Sequence, residues 1–184
     1  MENNHIDTAG IFPDALKVIH SRKSVRNFTG EGVTKEQLEI ILKAGMAAPS
    51  AVNMQPWVFI AITDRVTLNT LADSLPYAKM LYKAGACIVV CGIPEKAHEK
   101  LVEYAVLDTA AATQNILLAA EALGLGAVWT AVYPKSDLQK FVKETLGIPK
   151  YVLPLCAIPI GHPTGADAAK NKYKPENIKW EKWE

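Results

Sequence analysis

Residues 47–59 read Ala47-Ala48-Pro49-Ser50-Ala51-Val52-Asn53-Met54-Gln55-Pro56-Trp57-Val58-Phe59. Two prolines bracket a string in which Ser50, Asn53 and Gln55 stand among small and apolar residues. Pro49 closes off a helix, because the residue before a proline is pushed out of the α region. Trp57 to Ile62 (WVFIAI) then reads as a buried strand, being short, aromatic and β-branched. The loop between them carries amides and a hydroxyl in an otherwise apolar context. Such groups commonly satisfy their own backbone. The other reading is a rigid polar wall that hydrogen-bonds the rim of a flat heterocycle.

Upstream of the loop, Thr34 opens a helix by capping it while Gln37 reaches back, and Leu38, Ile41, Leu42 and Gly45 are spaced for one face. Before that lies a polar, basic segment, Ser21-Arg22-Lys23-Ser24-Val25-Arg26. A solvated loop is the ordinary use of such a cluster. Arg forks and a Ser hydroxyl are also the groups that recognise phosphate with fixed geometry. In an extended segment Arg22, Ser24 and Arg26 point to one side. A first helix is predicted from Pro13 to about His20, with proline at the first helical position.

Downstream, a short helix is predicted from Asp64 to Leu75 and another around Tyr77 to Lys83. Ala86 to Cys91 is a second buried strand, stopped by Gly92 and Pro94. The longest helix runs from about Glu99 to Leu123 and carries no charge between Asp108 and Glu121. A helix without a water-facing side is buried all round, and a chain this small needs a second subunit for that. Gly124 terminates it. Ala127 to Val132 is a third strand, and Ser136-x-x-Gln139 opens a helix ending at Gly147. Tyr151 to Ile160 is a fourth strand, whose Pro154 and Pro159 point to an edge position or a bulge. The tail after Gly161 is polar yet holds Trp180 and Trp183, which implies that it lies against something. Helices and strands mixed around a small sheet make an α+β protein.

The chain has 184 residues, 49% of them hydrophobic, with 20 Lys+Arg against 19 Asp+Glu. It can bury a real core, and a net charge of +1 leaves no electrostatic footprint for nucleic acid or an acidic membrane. The uncharged run Ala44 to Thr63 would place Pro49, Asn53, Gln55 and Pro56 in hydrocarbon, so it is not a membrane span. The first residues lack the basic-then-apolar pattern of a secretory signal, and three cysteines (Cys87, Cys91, Cys156) do not make a disulfide framework. A cytoplasmic protein is expected, with Cys87 and Cys91 as core residues. His5, His20, His98 and His162 have no metal-ligand spacing, and neither a nucleophile elbow nor a phosphate-binding P-loop is present. Gly124-Leu125-Gly126 follows a helix, whereas a dinucleotide fingerprint follows a strand.

Taken together, SRKSVRNF at 21–28, AAPSAVNMQPWVF at 47–59, AATQNILLAAEALGLGAVW at 111–129, IPIGHP at 158–163 and KNKY at 170–173 resemble the FMN-dependent nitroreductase family. The resemblance covers the chain from about residue 16 to its end, and the PS-x-x-N-x-QPW string is its specific part. It implies a small, mostly antiparallel sheet flanked by helices. It also implies an intertwined homodimer, each chain a single domain whose tail (about 162–184) wraps the partner. The uncharged helix then becomes interface core.

By the same resemblance FMN is the cofactor and NADH or NADPH the electron donor. Nitroaromatics or quinones are reduced by hydride passing through flavin N5 in a ping-pong cycle. Arg22, Lys23 and Ser24 fall where the family binds the flavin phosphate and ribityl chain. Arg26 falls near the pyrimidine edge, where a cation stabilises charge on the reduced ring. Pro49 and Ser50 approach the ring from the partner subunit, and Asn53 hydrogen-bonds its polar edge. Thr130, Ala131 and Val132 offer backbone contacts at N5. Ala131 and Val132 stand where larger members have an acidic residue and a glycine, so only backbone roles carry over. Lys170 and Lys172 replace a Lys-x-Arg pair, keeping the charge and losing the fork. No catalytic side chain and no metal are expected. The alternatives are a relative with another flavin reaction, such as a dehalogenase or dehydrogenase, and a non-catalytic FMN-binding protein.

Overall fold

The computed structural model describes residues 15–183. Five α-helices are present among them: α1 (Ala15–Ser21), α2 (Lys35–Met46), α3 (Arg65–Ser74), α4 (Val102–Ala122) and α5 (Ser136–Leu146). The strands are β1 (Trp57–Ile62), β2 (Ala86–Gly92), β3 (Gly126–Ala127), β4 (Thr130–Ala131) and β5 (Leu153–Gly161). Pro13, proposed as the first residue of α1, lies outside the described residues. No helix among those described is long and apolar enough to cross a membrane.

The sheet runs β1-β2-β5-β3, with β4 also on β5, and every strand pair is antiparallel. β2 is wholly buried, and its alternation serves two cores at once. Cys87, Val89 and Cys91 face a layer containing Leu68 and Leu71 of α3 and Leu138 and Val142 of α5. Ala86, Ile88 and Val90 face Ile41 of α2 and Ile116 and Leu117 of α4. A strand covered on both faces has no use for a polar position, which is why β2 reads as a continuous apolar run.

Several local expectations hold. Thr34 accepts the Gln37 N–H while Gln37 accepts the Thr34 N–H, a complete capping box. Gly124 (φ 72°) and Gly147 (φ 64°) end α4 and α5 in the left-handed conformation that favours glycine. Other expectations need correction. WVFIAI forms an edge strand, with only Ile62 fully buried, because an aromatic and β-branched run looks alike at the edge and at the centre of a sheet. Residues 77–83 form only a short 3₁₀ turn, Lys79–Tyr82. Ser136 lies inside α5 and makes no cap; the capping position falls to Lys135. α4 begins at Val102 and not at about Glu99; within the single chain one of its faces is buried, and Leu107 on the other side is 64% exposed.

Of the two readings of the β5 prolines, an edge position or a bulge, the structure takes the bulge, because β5 is central. Register with β2 shifts between Val90 (opposite Cys156) and Cys91 (opposite Pro154), leaving Leu155 as the extra residue of a bulge. The Leu155 carbonyl accepts the N–H groups of both Val132 and Tyr133. Val128 donates its N–H to the Pro159 carbonyl, but proline has no N–H to return. The ladder breaks there, and the predicted strand Ala127 to Val132 becomes β3 and β4.

Candidate functional site

The basic segment is laid along the β3 edge. Ser24 bridges in parallel to Ala127, and the Val25 N–H donates to the Ala127 carbonyl at 3.0 Å. Val25 and Phe28 are buried, which turns Ser24 and Arg26 outward. Close approach depends on Gly126: a Cβ there would lie 2.5 Å from Val25 Cγ1 and 2.6 Å from Val25 Cβ.

Arg22, Lys23, Ser24 and Arg26 line a cleft of about 150 Å³ together with Ala168, Lys170 and Lys172. The tail is brought there by Asp167. Its Oδ2 accepts the N–H groups of Arg26 and Asn27, each at 3.1 Å, and its Oδ1 accepts Asn27 Nδ2 at 3.2 Å. Lys23 is partly neutralised by Glu121 at 3.8 Å. Arg22, Lys170 and Lys172 form no ion pair among the described residues. Concentrated, unneutralised positive charge beside a hydroxyl suits a phosphate.

Arg26 also lines a second cleft, of about 360 Å³, with Thr130, Ala131 and Val132 on one wall and Tyr77, Trp129 and Tyr133 around it. The three backbone positions are not equivalent. Val132 donates its N–H to Leu155, so that donor is spent and its expected role as a free N–H is withdrawn. In an antiparallel ladder residues alternate between bonded and non-bonded pairs. Thr130, opposite Ala157, falls in the bonded class with Val128 and Val132, and its hydroxyl donates to the Ala157 carbonyl at 2.6 Å. Ala131 falls between them, exposed, with its N–H turned away from β5.

The loop from Ser50 to Gln55 is built around its own polar side chains. Ser50 Oγ accepts the Gln55 N–H at 2.9 Å, and Asn53 Oδ1 accepts Gln55 Nε2 at 3.0 Å. Val52 (φ 51°), Asn53 (φ 59°) and Gln55 (φ 51°) are all left-handed. Each such residue costs about 1–3 kcal/mol and persists only where the surroundings impose it, and Val52 is β-branched, the least suited to it. Among the described residues the Ser50 hydroxyl proton and the Asn53 side-chain N–H groups have no acceptor. Pro49 and Asn53 are exposed and Ser50 half-buried.

The sequence-predicted residues therefore form two groups. Arg22, Lys23, Ser24, Arg26, Lys170 and Lys172 share one cleft, and Arg26 joins it to Thr130, Ala131 and Val132. Pro49, Ser50 and Asn53 line neither cleft. Sequence reasoning missed Asp167, whose surroundings in the tail give no signal. It also missed Asp108, whose Oδ1 accepts the Ala51 N–H at 2.9 Å, although its place as the last charge before an uncharged run was legible. The three cysteines are buried and free. Burial pushes the thiols of Cys87 and Cys91 up to about 12 and that of Cys156 higher still.

A family model described as the nitroreductase family matches residues 19–75 and 68–162. A protein of Archaeoglobus fulgidus provisionally named NADH dehydrogenase/NAD(P)H nitroreductase is 40% identical over 92% of this chain and 99% of its own. A crystal structure from Parabacteroides distasonis with the same provisional name superposes with a TM-score of 0.86. It is 45% identical over 92% of this chain and 98% of that one. A provisionally named nitroreductase of Desulfovibrio desulfuricans, solved in complex with FMN, superposes at 0.78. It is 30% identical over 94% of this chain and 99% of that one.

Proposed function

The chain belongs to the nitroreductase family and has its fold, and from that premise we propose that it is an FMN-dependent NAD(P)H oxidoreductase acting on nitroaromatics or quinones. The observation that carries this reading is the join at Arg26 between a cation-lined cleft and a cleft walled by the backbone of β4. Such a join fits a ligand with an anionic end and a flat, polar-edged end. The FMN complex of the Desulfovibrio relative supports the same ligand here.

Arg22, Ser24, Lys170 and Lys172 would hold the phosphate, with Lys23 contributing what its pairing with Glu121 leaves. Arg26 would place positive charge at the pyrimidine edge, stabilising the charge that gathers there on reduction. Ala131 offers the backbone N–H toward N5. Bound FMN would supply the redox chemistry, accepting hydride from NADH or NADPH and returning it to the acceptor in a ping-pong cycle.

Pro49, Ser50 and Asn53 complete the site from a second copy of the chain, which accounts for their separation from the other residues within one chain. The same homodimer covers the outer side of α4 around Leu107. It also gives the tail a surface to wrap, where Trp180 and Trp183 are 79% and 87% exposed in the single chain. Each chain acts as one domain with that tail as its arm.

The purified protein should be yellow. Without oxygen it should bleach on addition of NADH or NADPH and recover with a nitroaromatic or quinone. A colourless preparation that takes up no FMN would overturn the proposal, and a yellow one that never bleaches would overturn its enzymatic part.

A further inference from the structure

Asp108 of α4 is buried, and its Oδ1 accepts the N–H of Ala51 at 2.9 Å, 57 residues away in sequence. Its Oδ2 is also buried and has no partner among the described residues. A buried carboxylate with an idle oxygen is costly, and simple packing of α4 gives it no purpose. The bond that it does make falls on the first residue of the 3₁₀ turn Ala51–Asn53. That turn carries the left-handed Val52 and Asn53. The loop's other bonds are internal to it: the Gln55 N–H on Ser50 Oγ, Gln55 Nε2 on Asn53 Oδ1, the Asn53 N–H on the Ser50 carbonyl and the Met54 N–H on the Ala51 carbonyl. They fix its shape, and the next tie to another element comes after it, where the Pro56 carbonyl accepts the Ile93 N–H at 2.7 Å.

We propose that Asp108 is a positioning residue for the flavin-facing loop: through the Ala51 N–H it sets where Ser50 and Asn53 present their free donors. The assignment rests on the flavin reading above. The bond is a direct tie from α4 to a turn whose Val52 and Asn53 are left-handed. α4 supplies the rigid base. Its packing on the end of β2 is tight enough that a Cβ on Gly92 would lie 2.9 Å from Thr109 Oγ1.

The two ends of the bond can be removed separately. Asp108→Ala deletes the acceptor. Ala51→Pro deletes the donor at the first position of a turn, where proline is tolerated, and Ser50 before it is already extended (φ −141°, ψ 156°). The apoprotein and each variant, shown folded by circular dichroism, are titrated with FMN and with riboflavin by flavin fluorescence. Each single variant should weaken both ligands equally, by about tenfold, since the loss lies on the ring side. The double variant should be no weaker than Asp108→Ala alone, because both changes remove one interaction. Asp108→Asn keeps an acceptor and should recover affinity to within about threefold of wild type.

Wild-type affinity in both single variants, or losses that multiply in the double variant, would overturn the assignment. A loss for FMN with none for riboflavin would overturn it too. Wild-type apoprotein that binds neither ligand would overturn the flavin reading, and that result appears before any variant is made. If Asp108→Ala does not fold, Ala51→Pro alone decides.

Discussion

Asp167 grips Asn27 at both ends, its Oδ2 accepting the Asn27 backbone N–H at 3.1 Å and its Oδ1 the Asn27 side-chain amide at 3.2 Å. With the Arg26 N–H on the same Oδ2, this carboxylate ties a tail residue to a segment 140 residues earlier. Burial raises the Asp167 pKa, but the Arg26 and Asn27 donors and the Arg26 charge outweigh it and hold the carboxyl below its ordinary value. A depressed carboxyl pKa stabilises docking above the unfolded value, about 3.9, and that contribution is lost as pH falls through the folded value. Exchange protection of the Arg26 and Asn27 amides, corrected for intrinsic rate, should therefore fall on acidification below about pH 4. Asp167→Ala should abolish the protection at every pH. Asp167→Asn should remove the acid step. Protection unchanged in Asp167→Ala would show that the tail is held by something else.

Gly126 and Val25 make a second pair. Because a Cβ on Gly126 would overlap the Val25 side chain, Gly126→Ala should destabilise the protein by about 1–3 kcal/mol in urea unfolding. It should also weaken FMN binding by moving Ser24. Val25→Ala opens the space and should itself destabilise, yet the double variant should be more stable than the two losses added together. Simple addition would mean that the contact is relieved elsewhere.

Most of the layout was legible because it rests on local chemistry. The capping box at Thr34, the stop at Gly124 and the run of β2 are decided by neighbouring residues. What escaped is decided across the sheet. Pro154 and Pro159 left an edge position and a bulge open, and the pairing across the sheet decides for the bulge at Leu155 and the gap between β3 and β4. The candidate site divides in the same way. The basic segment and the Ser50–Gln55 loop announce themselves by residue type. The carboxylates that set their positions, Asp167 and Asp108, act through backbone N–H groups at long sequence separation, and a backbone donor leaves no mark in a sequence.

The buried thiols give a pH test with a definite sign. Unfolded cysteines ionise near pH 8.5, whereas Cys87 and Cys91 are held at about 12 by burial. Folded protein keeps its protons where unfolded chain releases them, so stability should decline as pH rises above about 8.5. No thiol should react with a disulfide reagent at pH 8 in native protein, and all three should react in urea. Rapid labelling of native protein at that pH would show that the sheet opens around β2.

The phosphate assignment is tested most directly at Arg22, which lines the cation cleft and forms no ion pair among the described residues. Arg22→Ala removes a charged hydrogen-bond donor, and such bonds contribute about 1.5–3 kcal/mol. FMN affinity should fall on the order of tenfold or more by that measure. Riboflavin has the same ring and no phosphate, so its affinity should be unchanged. That contrast is absent for Asp108→Ala, where both ligands should lose equally. Raising ionic strength should weaken FMN binding to the wild type more than to Arg22→Ala, since the variant has less charge left to screen. If FMN and riboflavin fall together in Arg22→Ala, the guanidinium acts on the ring or on the fold and the phosphate lies elsewhere. If neither falls, Lys170, Lys172 and Ser24 suffice without it.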